Sequence, residues 1–131
     1  MNLRSLLYWL LMIISGVTLV SGAVQMLDPG FVLKLLAAEV TPATDHLFGI
    51  VGMFMVLFGG MLLQVLLSKR LVAPVYLWAG LQKLGAAASV ALGVARHLFC
   101  TGALLISGFD LLSGLFILLY LGLLKQERQS V

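Results

Sequence analysis

Charge is scarce in this sequence. Lysine, arginine, aspartate and glutamate make up 10% of its 131 residues, whereas 62% are hydrophobic, well above the roughly 45–50% of a soluble domain. So few charges cannot clothe a solvated globular surface, which excludes an ordinary water-soluble domain. The lone cysteine, Cys100, excludes an internal disulfide and says nothing of redox compartment; it reads as a small apolar filler. A phosphate-binding glycine loop, paired catalytic carboxylates, metal-ligand spacing and a nucleophile triad are also missing. Nothing nominates an enzyme, a catalytic residue or a metal site.

What the sequence does have is long apolar runs. About 20 apolar residues are needed to cross a hydrocarbon core of about 30 Å as a helix, which satisfies every backbone polar group within the segment. Four runs qualify, at approximately 6–27, 45–67, 73–95 and 98–124. The expected fold class is all-α: one transmembrane domain over 1–131, an integral membrane antiparallel four-helix bundle with an outer loop at 28–44. Arg4 ahead of the first run, with Ser21 and Ala23 near its end, gives that run the look of a signal peptide. Its length exceeds a typical signal core, so a retained helix is expected.

The net charge of +3 reports topology rather than nucleic-acid binding. Arg4, Lys69, Arg70, Lys125 and Arg128 flank the first, third and fifth soluble segments, against Lys34 and Arg96 on the second and fourth. This is the positive-inside pattern. It places both N and C termini in the cytoplasm, and a bacterial inner membrane is the expected location. In the outer loop, "GFVLKLLAA" is too short to span. It reads as a short amphipathic segment with Lys34 toward water, or as an ordered loop covering that end of the bundle.

Each run carries small or polar residues at helical spacing. They are Ser15, Thr18, Gly22 and Gln25 in the first; Asp45, Gly49, Gly52, Val56 and Gly59 in the second; Gly85, Ser89 and Gly93 in the third; and Ala103, Ser107, Asp110, Ser113 and Gly114 in the fourth. Small residues let helix backbones approach closely in lipid. These seams are expected to face inward.

Two ionisable residues fall deep within the runs. Lys83 lies ten residues above the cytoplasmic end of the third, about 15 Å deep, and Asp110 lies fifteen above Lys125, about 22 Å deep. A charge there costs about 2.5–3.5 kcal/mol, so each should face the interior and have a partner. The offset of about 7 Å, widened because side chains lean toward their own helix N-terminus, weighs against a direct bridge without a bent rotamer or a water. The sequence leaves open a direct or water-mediated Lys83–Asp110 pair, or a neutral Asp110 bonded to Ser89 with Lys83 snorkelling toward Tyr76.

At the other end, His46 and His97 are expected at similar height and, with Asp45, Arg96 and nearby Glu39, could form an outward polar cluster. Imidazoles at one level can ligate metal or haem, but the spacing matches no motif and haem is disfavoured. Asp45 reads more plainly as a first-turn acid after a Thr44 cap, and Trp9 and Trp78 as interface anchors.

The chain resembles the DoxX-like group of small four-helix membrane proteins in its length, its four apolar helices, Arg4 ahead of the first, and glycine-rich stretches such as "FGIVGMFMVLFGG". That group includes subunits attached to respiratory quinol-oxidising complexes. The resemblance therefore implies a non-catalytic accessory or assembly subunit of a larger energy-transducing complex. A second reading is the handling of a quinone, lipid or other apolar molecule within the bundle, with Lys83, Asp110, Tyr76 and Gln82 as polar contacts. A third is a small proton-coupled transporter acting as a dimer. The expected partners are membrane lipids with other membrane subunits or a second copy of the chain, and not nucleic acid.

Overall fold

The computed structural model describes residues 2–130. It contains α1 (Leu3–Leu27), α2 (Pro29–Leu35), α3 (Pro42–Ser68), α4 (Ala73–Ala95) and α5 (Ala103–Gln129), with no strand among the described residues. All but α2 are long and apolar enough to cross a membrane.

Capping chemistry sets the boundaries. The Asn2 side chain accepts the Ser5 amide at 2.9 Å and starts α1. Asp28 ends α1 and caps α2, its Oδ1 accepting the Phe31 amide at 3.1 Å, with Pro29 fitted into the first turn. α2 is the expected short segment of the 28–44 region. It buries Leu33 and leaves Lys34 exposed.

α3 starts three residues before the expected boundary, because Thr41 rather than Thr44 is its cap. The Thr44 amide donates to Thr41 Oγ1 at 3.1 Å while the Thr41 amide donates to Thr44 Oγ1 at 2.8 Å, a reciprocal box. α3 stops where Lys69 turns left-handed at φ 52°. His97 does the same after α4, at φ 57°, with the Leu98 amide returning to the Gly93 carbonyl at 2.8 Å. This Schellman-type closure uses residues that an apolar pattern assigns to the next helix. α5 therefore begins five residues later than the expected Leu98 and continues through the helix-favouring Lys125–Gln129 stretch. In the connection, Cys100 donates its amide to the Leu36 carbonyl at 2.8 Å and ties the chain after α4 to the end of α2.

Neighbours in space are not all neighbours in sequence. α1 packs chiefly on α3, and α4 on α5. Gly22 lies against Gly52, and Gly59 against Ser15, so α1 and α3 run past each other in opposite senses. Gly80 meets Gly114, and Ala87 meets Ser107, which gives α4 and α5 the same relation. The pairs join through an apolar core that includes Leu11, Leu66, Tyr76 and Ile117. This core sits toward the end that carries Arg4 and Glu127, called here the basic end. Exposed leucine, valine and isoleucine cover the perimeter, as at Val20, Leu57 and Leu105, and Trp9 and Trp78 also face outward.

Most of the expected seams face inward. Ser15, Thr18, Gly22 and Gln25 are all buried, as are Gly52, Gly59, Ala103, Asp110, Ser113 and Gly114. The seam on α4 does not hold. Gly93 is buried, but Gly85 and Ser89 are exposed on the outer face, and nothing lies within 4 Å of where a Gly85 Cβ would stand. The buried stripe of α4 instead follows Tyr76, Ala79, Lys83 and Ala87.

Candidate functional site

Lys83 and Asp110 meet directly. Nζ donates to Asp110 Oδ1 at 2.7 Å, with the two residues 5% and 8% exposed. The short distance is that of a charge-assisted bond. The ammonium also lies 5.4 Å from the centroid of the Phe109 ring, within range of a cation–π attraction.

The expected depth offset vanishes because Lys125 is the wrong ruler. With Gly80 against Gly114 and Ala87 against Ser107, Lys83 falls level with Leu111, one residue from Asp110. The same register sets Ala73 level with Leu121, so residues 122–129 extend past the start of α4, about two turns of helix. Lys125 lies four residues below the level of Ala73, so depth counted back from it overestimated the height of Asp110 by about 6 Å, half of that extension.

The alternative partners are excluded by position. Ser89 is exposed and does not reach Asp110. Lys83 does not snorkel toward Tyr76, which lies 2% exposed at the basic end with its ring 5.8 Å from that of Tyr120. The serines around Asp110 close backbone contacts: Ser107 Oγ donates to the Ala87 carbonyl at 2.8 Å, across to α4, and Ser113 Oγ to the Phe109 carbonyl at 2.6 Å.

Gln82, half-buried, and Lys83 border a small internal space of about 10 Å³ with Ser15, Thr18 and Gly59. That is the size of a single water, too small for a quinone or a lipid. Thr18 Oγ1 is buried there without a hydrogen-bond partner. Ser15 satisfies its hydroxyl on the Leu11 carbonyl, and Gln25 reaches across to the Phe48 carbonyl at 3.0 Å, tying α1 to α3.

Asp45, His46, Arg96 and His97, expected as an outward polar cluster, lie at the end of the bundle away from Arg4, with His46, Arg96 and His97 exposed. No hydrogen bond or ion pair links these four, and no group of three metal-ligating side chains forms among the described residues. His46 belongs to the α1–α3 pair and His97 to the α4–α5 pair, and both side chains are exposed. Asp45 sits instead against Gly30 of α2, where an added Cβ would stand 2.9 Å from its Oδ1.

Sequence reasoning missed a larger feature at the basic end, a cleft of about 770 Å³. Arg4 and Glu127 bridge across it at 2.8 Å, each half exposed. Its walls bring Lys69 and Arg70 from the α3–α4 turn together with Arg128 from the extension of α5, over Tyr76 and Tyr120. The available signal was the basic bias itself, which gathers three distant chain segments at one end.

Compared with family models, with curated proteins and with solved structures, the chain gives no match.

Proposed function

We propose that this chain is a non-catalytic integral membrane subunit, an antiparallel four-helix bundle with both termini on the cytoplasmic face of a bacterial inner membrane, that packs against a partner membrane protein. The observation that carries this reading is the outer face of α4. Its membrane-spanning stretch is the least apolar of the four, and it turns Gly85, Ala88 and Ser89 outward, with open space over Gly85. Leucine or valine would suit lipid better, whereas small residues suit a second helix at close range. Inside the bundle, Lys83 and Asp110 neutralise each other. The gathering of Arg4, Lys69, Arg70 and Arg128 at one end supports the cytoplasmic assignment of that end. The resemblance to the DoxX-like group points toward an accessory or assembly subunit of an energy-transducing complex.

Native mass spectrometry of the protein gently extracted from its own membrane tests the proposal. The expected result is a defined complex with other membrane subunits, lost in Gly85→Leu/Ser89→Leu while the variant's thermal unfolding is unchanged. A 14.1 kDa chain carrying only lipid, or a complex indifferent to both substitutions, overturns it.

A further inference from the structure

We infer that the cleft at the basic end is a binding site for the phosphate headgroup of an anionic phospholipid. The argument starts from charge. Four cations line the cleft, Arg4, Lys69, Arg70 and Arg128, against one carboxylate, Glu127. Arg4 is committed to Glu127 at 2.8 Å, and among the described residues Lys69, Arg70 and Arg128 form no ion pair. Three cations converging without a counter-charge repel one another. A bound anion relieves that repulsion, and guanidinium groups present paired donors that suit phosphate oxygens.

The shape and floor of the cleft indicate an amphiphile rather than a bare ion. A volume of about 770 Å³ lies in the range of pockets, roughly 300–1,000 Å³, that bury a small organic molecule. Below the cations lie the nearly buried rings of Tyr76 and Tyr120 and the apolar side chains of Leu66 and Leu124. Outside it, Leu3 and Leu67 are exposed, so the surface beside the cleft is suited to acyl chains. A basic pocket between helix ends at the cytoplasmic leaflet is where anionic headgroups are held.

The test uses the full chain in nanodiscs made with phosphatidylglycerol or with phosphatidylcholine, reading retained lipid by native mass spectrometry. The expected result is one phosphatidylglycerol retained in preference to phosphatidylcholine. Lys69→Gln/Arg70→Gln should weaken that preference by about fivefold per cation removed. Lys125→Gln removes the same kind of charge outside the cleft and should change nothing, which separates a built site from a general attraction of basic ends to anionic membranes. Equal retention of both lipids, or equal effects of the cleft and control substitutions, overturns the inference. Glycerol 1-phosphate supplies the same phosphate chemistry without acyl chains; if it displaces the lipid at comparable concentration, the site takes a free phosphate ester and the lipid assignment fails. All the substituted side chains are exposed, and an unchanged melting curve shows that each variant is folded.

Discussion

The two helix pairs solve the same packing problem with different materials. Between α1 and α3 the contact is backbone on backbone: a Cβ on Gly52 would stand 2.5 Å from the Met26 amide nitrogen, and one on Gly22 would stand 2.9 Å from the Gly52 carbonyl oxygen. Between α4 and α5 the glycines also oppose one another, but what a Cβ would meet first is a leucine side chain, Leu118 over Gly80 and Leu84 over Gly114, each at 2.8 Å. One pair is held by proximity that nothing can relax, and the other by leucines that can turn aside and an ion pair that cannot be halved. Small-residue packing supplies cohesion where lipid is as apolar as the helices. A buried ion pair supplies register, because only one alignment joins the two charges.

Substitutions sharpen this contrast. The largest effect is expected from Lys83→Met alone, which strands Asp110 in an apolar interior and should cost about 3–5 kcal/mol, read by thermal or denaturant unfolding in micelles. Lys83→Met/Asp110→Leu should recover most of that loss, and a double variant no better than the single one would show that the pair is not the clasp described. Next, Gly52→Ala should cost about 1–3 kcal/mol by overpacking, while Gly80→Ala should cost clearly less. Equal losses at the two glycines would erase the distinction between the pairs. At the basic end, Arg4→Gln should cost no more than about 1 kcal/mol, as expected of a half-exposed bridge. The smallest effect, with the opposite sign, belongs to Thr18→Val. Removing a buried hydroxyl that lacks a partner should leave the melting temperature unchanged or slightly raised.

Much of the architecture was legible in the residues. Apolar runs located the four long helices, and the inward faces of α1, α3 and α5 followed from small residues at helical spacing. The failures share a cause. Gly85, Ser89 and Gly93 share a spacing, yet only Gly93 turns inward, because small residues at helical spacing do not say which face of the helix is turned to the core. The start of α5 was misplaced because Leu98–Cys100 is apolar, and apolarity does not distinguish a helix from a closed turn. A separate error, at the other end of α5, displaced Asp110 on paper: its depth was counted from Lys125, which lies beyond the level where α4 begins. The cleft at the basic end depends on how far α5 extends past α4, a tertiary register that no local pattern encodes.

The separation of Lys83 and Asp110 by 27 positions also constrains how the protein is made. α4 leaves the ribosome with the least apolar spanning stretch of the four, carrying a lysine that penalises insertion by about 2.5–3.5 kcal/mol, and its counter-charge has not yet been synthesised. The contact that offsets this cost forms only once α5 is beside it. A chain that stops before Asp110 would leave Lys83 without the carboxylate that neutralises it in the finished fold.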